Sequence, residues 1–229
     1  MNPEERKPAT YPFSLPSLPY PYDALVPAID AATLRVHHTK HHQAYIDKLN
    51  TALEPYPQLH GFSIEELLKR LDKLPVGIRQ TVYDHGGGHF HHELFWQMLA
   101  PNARGSSPDG ALAEAIERDF GSFDAFKEKF VDAGSKHFAS GWVFLALNPA
   151  TAQLEVFSRS DHNNILQEKK YPLLLNDLWE HAYYLRYQSD RQRYLESFWD
   201  IVNWSYVTQR HKDAPLSKGK LERAPKRFL

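Results

Sequence analysis

The chain has 229 residues, 42% hydrophobic and 24% charged, with 27 basic against 28 acidic side chains and a formal net charge of −1. That balance lacks the basic footprint of a nucleic-acid binder, and no apolar run approaches the ~20 residues that span a bilayer. With no cysteine, disulfides, thiolate metal sites and cysteine nucleophiles are excluded, while thirteen clustered histidines need a cause.

Residues 1–27 carry seven prolines interleaved with Tyr, Phe and Leu. They read as an extended arm whose later part packs on the body, because proline removes backbone donors and favours open φ/ψ. The start shows no charged-then-apolar secretory pattern, so the expected compartment is the cytoplasm. Asp30 is placed to cap a helix over 31–53. Ser63 and Glu66 have capping-box spacing ahead of Leu67, Leu68 and Leu71. A third helix is predicted over 76–99, with Gly86-Gly87-Gly88 loosening its middle. Residues 101–110, rich in Pro, Gly, Asn and Ser, are the clearest linker.

Two further helices follow, over 111–120 and 123–133. The pattern then changes to apolar or alternating segments at 142–147 and 153–158, joined by Asn148-Pro149-Ala150-Thr151 as a β-hairpin. Pro172-Leu173-Leu174-Leu175 is a third short strand, ending just before Asp177. The segment 179–210 reads as helical and aromatic-rich, and 212–229 as a basic, mobile tail. The expected fold is therefore α+β: an arm (1–27), a helical hairpin domain (28–100), an α/β metal-binding domain with a small three-stranded antiparallel sheet (109–211), and the tail.

Three histidine-bearing stretches stand out: His37-His38-Thr39-Lys40-His41-His42, His89-Phe90-His91-His92, and Asp177-Leu178-Trp179-Glu180-His181. On a helix, His37, His41 and Tyr45 share one face, with His38 and His42 beside it. Nitrogen and oxygen donors without sulfur suit manganese or iron, and zinc also accepts them. His92-Glu93-Leu94-Phe95-Trp96 starts like a zinc-protease helix, but Trp96 stands where the second histidine must be. No glutamate has a histidine three residues later, as a di-iron carboxylate bundle requires. Taken by itself, Asp177 is equally a helix cap and His181 a packed core histidine.

Several motifs in order, from about Leu15 to His211, resemble the iron/manganese superoxide dismutase family. They are Leu15-Pro16-Ser17-Leu18-Pro19-Tyr20, the 37–45 histidine segment, Gly88-His89-Phe90-His91-His92-Glu93-Leu94-Phe95-Trp96, Glu117-Arg118-Asp119-Phe120-Gly121-Ser122, Ser140-Gly141-Trp142, and Asp177-Leu178-Trp179-Glu180-His181-Ala182-Tyr183-Tyr184. The resemblance implies metal ligands His37, His92, Asp177 and His181 with a solvent molecule as fifth ligand. It implies that His41 and Tyr45 border the substrate channel and that Trp96, Trp142 and Trp179 form an aromatic shell. Glu180 and Tyr184 match residues that reach across a two-fold interface, Glu180 supporting the partner's ligand histidine.

Glycine stands at Gly88 and His162 at the later position, where members of the family carry a glutamine at one or the other. This resembles a histidine-bearing subgroup containing both iron and manganese enzymes. The implied activity is conversion of superoxide to dioxygen and hydrogen peroxide by one manganese or iron ion per chain, manganese ranked first. Proton uptake on the solvent ligand would keep the site's net charge constant as the ion gains an electron. His162 would tune that step. The implied assembly is a homodimer, with a tetramer also compatible. No nucleic acid or membrane partner is expected. The alternative is a metal-storage protein that takes up ions through exposed His38, His42, His85, His89 and His91.

Overall fold

The computed structural model describes residues 8–216. Within the arm, Phe13, Tyr20 and Leu25 are buried. Asn50 grips it twice, accepting the Phe13 N–H at 2.9 Å and donating to the Phe13 carbonyl at 2.8 Å. Residues 1–7, and the predicted tail beyond residue 216, lie outside the described residues.

The predicted first helix is present as α1 (Ala31–Val36), a wide π-helical turn (His37–His42) and α2 (Gln43–Leu53) in unbroken succession. Asp30 caps it by accepting the Thr33 N–H at 2.8 Å. Ile46, Leu49 and Leu53, spaced three and four apart, face the core. The Ser63–Glu66 capping box starts α3 (Ile64–Lys69). The third helix runs as α4 (Val76–Thr81), a second wide turn (Val82–Gly86) and α5 (Gly87–Gln97). The expected loosening is that wide turn; Gly87 and Gly88 are themselves α-helical. Each wide turn adds a residue to the repeat, a device that often marks functional sites in helices.

After the linker come α6 (Gly110–Phe120) and α7 (Phe123–Ser135). Then β1 (Gly141–Asn148), β2 (Gln153–Ser160) and β3 (Tyr171–Asp177) form an antiparallel sheet in the order β2-β1-β3. The central strand β1 is buried through Leu147, as a strand covered on both faces must be.

The segment 179–210 is not one helix. It breaks into a 3-10 turn (Glu180–Ala182), α8 (Tyr184–Tyr187), α9 (Arg191–Ser197), a second 3-10 turn (Phe198–Asp200) and α10 (Trp204–Asp213). Asp190 and Asn203 each cap a new helix, accepting the N–H groups of Arg193 and Tyr206. Between them, Ile201 and Asn203 bond the backbone of Ala100 and Met98, so the chain stops to stitch the two halves together. None of the described helices is long and apolar enough to cross a membrane.

Candidate metal centre

Two of the four expected ligands come from each half of the fold. His37 opens the first wide turn, His92 sits in mid-α5, Asp177 ends β3, and His181 lies in the 3-10 turn beyond it. Their donor atoms all lie within 4.8 Å of one another. From Asp177 Oδ2 the Nε2 atoms of His37, His181 and His92 stand 3.1, 3.4 and 3.8 Å away. Those three nitrogens and that oxygen are buried and have no hydrogen-bond partner among the described residues. Four orphaned donors aimed at one point carry a large desolvation cost unless an ion joins them. Ligand bonds of about 2.0–2.2 Å give donor separations of this size. The set therefore fits one metal ion.

Hydrogen bonds on the far sides of two of these side chains orient them. His92 Nδ1 donates to the Gly88 carbonyl at 2.6 Å, which leaves the Nε2 lone pair free to face the site. Asp177 Oδ1 accepts the Trp179 N–H at 2.8 Å, so the carboxylate caps the turn and still presents Oδ2. The two roles open to Asp177 in the sequence are thus both filled, one by each oxygen. Burial pushes His37 down to about 4 and His92 well below the ordinary imidazole range, so both are neutral donors at pH 7. Burial alone would raise Asp177, but the facing imidazoles His181 and His37 overcome it and hold the carboxyl well below its usual range. The buried Asp177 anion, facing the neutral His37 and His92, favours a cation.

The remaining predicted residues surround this cluster. His162 is buried, stacked on Trp179 with ring centroids 5.1 Å apart and set edge-on to Tyr45 at 4.6 Å. The Trp142 indole donates to His162 Nδ1 at 3.1 Å, so a neutral His162 carries its proton on Nε2, which is buried and unpartnered. Trp96 lies edge-on to His37, with centroids 4.9 Å apart. His41 stacks on His181 at 4.0 Å. Glu180 and Tyr184 are exposed.

Gly87 and Gly88 are needed for close approach. A Cβ on Gly87 would stand 2.6 Å from the His162 carbonyl oxygen, and one on Gly88 would stand 2.7 Å from the Tyr45 ring.

The other histidines do not form an exposed uptake surface. Of the five assigned to uptake, His38, His42, His89 and His91 are buried and His85 is partly open. His38 anchors the arm, bonding the Pro16 carbonyl at 2.8 Å and the Tyr22 hydroxyl at 2.9 Å. The Trp96 indole donates to His42 Nδ1 at 3.0 Å, and His42 Nε2 meets His89 Nδ1 at 2.8 Å. That chain requires His42 to donate to His89, tying the two long helical stretches together. This structural use of the histidines overturns the storage reading.

Burial holds His89 at about 4 and His42 well below its ordinary value. Unfolding returns His89 to about 6.5, so the unfolded chain binds the extra proton in the window between those values. Its contribution, on the order of 3 kcal/mol, is therefore present in full above pH 6.5 and is lost as pH falls to about 4. We expect urea denaturation of the metal-free protein to show a steep loss of stability from pH 7.5 to 4.5. His89→Gln, with no proton to take up, should flatten that slope; equal slopes would remove the pair as its source.

Two buried polar residues near the site escaped the sequence reading. Asn176 lies just past the predicted strand 172–175, and Tyr194 lies within the aromatic-rich segment 179–210; no local pattern marks either. Only their contact, described below, distinguishes them.

A helical hairpin and a three-stranded α/β half that meet around three histidines and one aspartate define a mononuclear metalloprotein. The model of the iron/manganese superoxide dismutase α-hairpin domain matches residues 12–100, and that of the C-terminal domain matches residues 108–210. The chain belongs to the iron/manganese superoxide dismutase family. It is 47% identical over 203 residues to a manganese superoxide dismutase of Leptolyngbya boryana, covering 89% of this chain and 84% of the relative. A manganese superoxide dismutase of Listeria monocytogenes is also 47% identical, covering 86% of this chain and 96% of the relative. One from Thermus thermophilus is 46% identical, over 89% of this chain and 99% of the relative.

Proposed function

We propose that the chain is a superoxide dismutase in which His37, His92, Asp177 and His181 hold one manganese or iron ion. The four convergent, unpartnered donors carry this reading. Two superoxide anions and two protons become one dioxygen and one hydrogen peroxide, an electron passing from the first superoxide to the second. The bound ion supplies one-electron exchange between two oxidation states. Imidazoles that hold an ion do so as neutral groups and Asp177 as an anion, so the protein's own charge at the site would not change with each electron. His162 keeps its proton on Nε2 and can donate a hydrogen bond into the cavity while staying neutral. Tyr45, whose hydroxyl proton is held more firmly because of burial, packs against His162 and is the next donor toward the channel. Trp96, Trp142 and Trp179 restrict water around the ligands.

The same proposal includes a homodimer and a cytoplasmic location. Tyr184 and Leu185, 44% and 65% exposed, sit with exposed Glu180 beside His181, where a two-fold partner would cover them. Sedimentation should give twice the chain mass.

Metal analysis paired with a dismutation assay after loading with manganese or iron tests the function. About one ion per chain and turnover without another reductant are expected; zinc alone with no turnover would end the redox reading. In the same assay, His162→Gln should keep the ion but shift the ratio of manganese to iron activity by about 10-fold or more, the effect usual for groups just outside the ligands. An unchanged ratio would make His162 a packing residue only.

A further inference from the structure

We propose that Asn176 and Tyr194 are a positioning pair that holds ligand segment 177–181 against the two hairpin histidines and so governs how tightly the ion is kept. Asn176 precedes Asp177 on β3, which among the described residues pairs only with β1, and it is completely buried. Its carboxamide oxygen accepts two hydrogen bonds, from the Asp177 N–H at 2.9 Å and from the Tyr194 hydroxyl at 2.7 Å. The amide nitrogen has no acceptor among the described residues. The Asp177 N–H can only donate, so the oxygen must face it. A leucine here would fill the space without burying an unpaired NH2 group, so the amide is costly unless that acceptor is put to use.

Tyr194 also reaches the other end of the segment. Its ring, 1% exposed, stacks on Tyr183 with centroids 5.0 Å apart, two residues beyond His181. Arg191 fixes Tyr183 in turn, donating to its hydroxyl at 3.0 Å and to the carbonyls of His137 and Ala139 just ahead of β1. One buried tyrosine therefore brackets the stretch that supplies half of the ligands. Successive strand residues point to opposite faces, so Asn176 acts through the Asp177 backbone and not on the ion.

The inference rests on the metal site proposed above. Its test compares native protein, Tyr194→Phe and the double variant Asn176→Leu/Tyr194→Phe, each loaded with manganese. The readouts are the rate of manganese release to excess EDTA, the visible absorption of the loaded form, and the melting temperature of the metal-free form. We expect Tyr194→Phe to release manganese about 10-fold faster or more, with a displaced absorption band. In the double variant the hydroxyl and its acceptor both go, while the Asp177 N–H loses its partner, so metal-free stability should recover only in part. Its release should nevertheless stay fast, which a merely structural role would not produce. Native release rates and an unchanged band in folded Tyr194→Phe would overturn the pair, whether or not the double variant folds. Failure of the native protein to hold an ion would instead overturn the proposed function.

Discussion

His181→Ala is expected to leave the protein without stoichiometric metal and to lower dismutase activity by more than about 100-fold, beyond the 10–100-fold typical of groups that only orient a ligand. Three donors would remain, His37, His92 and Asp177, around a pocket still carrying the Asp177 charge. Native protein should melt at higher temperature as manganese is added, because an ion that binds only the folded state adds stability in proportion to the logarithm of its concentration. The variant should lose that response. His181 lies next to exposed Glu180, so the proposed dimer should also dissociate more readily in the variant. Metal per chain, melting curves with and without manganese, and sedimentation would measure the three effects. Retained tight metal would reject His181 as a ligand.

Gly87→Ala is expected to destabilise the fold by about 1–3 kcal/mol, the usual cost of an extra carbon in a filled core. The added Cβ would meet the His162 carbonyl oxygen at 2.6 Å and the His162 Cβ at 3.1 Å. The first contact is with backbone, so no side-chain rotation relieves it. Segment 161–163 must withdraw, which pulls the His162 ring away from the Trp142 indole. Activity should therefore fall along with stability, while the four ligands still bind metal. Gly61→Ala is the control, since nothing lies within 4 Å of its Cβ. Urea denaturation and the dismutation assay on both variants check this; equal midpoints for the two would show that the helix can shift freely at Gly87.

The sequence conveyed most where the physics is local. Asp30, Ser63 with Glu66, and Ser122 each stand at a helix start and each accept the N–H three residues on. The alternation at 153–158 and the apolar run at 142–147 gave the hairpin. The break in segment 179–210 was harder to see, because aromatic density continues through it. The stop depends on Ile201 and Asn203 meeting Ala100 and Met98, about a hundred residues away in the chain.

The same division runs through the site. Residue types pointed, without coordinates, to a sulfur-free metal site, and motif order gave the family resemblance that implied three histidines and one aspartate as its ligands. Tertiary structure decided what the other histidines do: His38, His42 and His89 are buried hydrogen-bonding struts, where the sequence allowed exposed ligands. It also decided why Gly87 and Gly88 stand in a helix, which their helix propensity alone reads as weakness. The cause is that caps and periodicity act within a few residues of one chain segment, whereas burial, tautomer and close approach are set by what a second segment brings against the first.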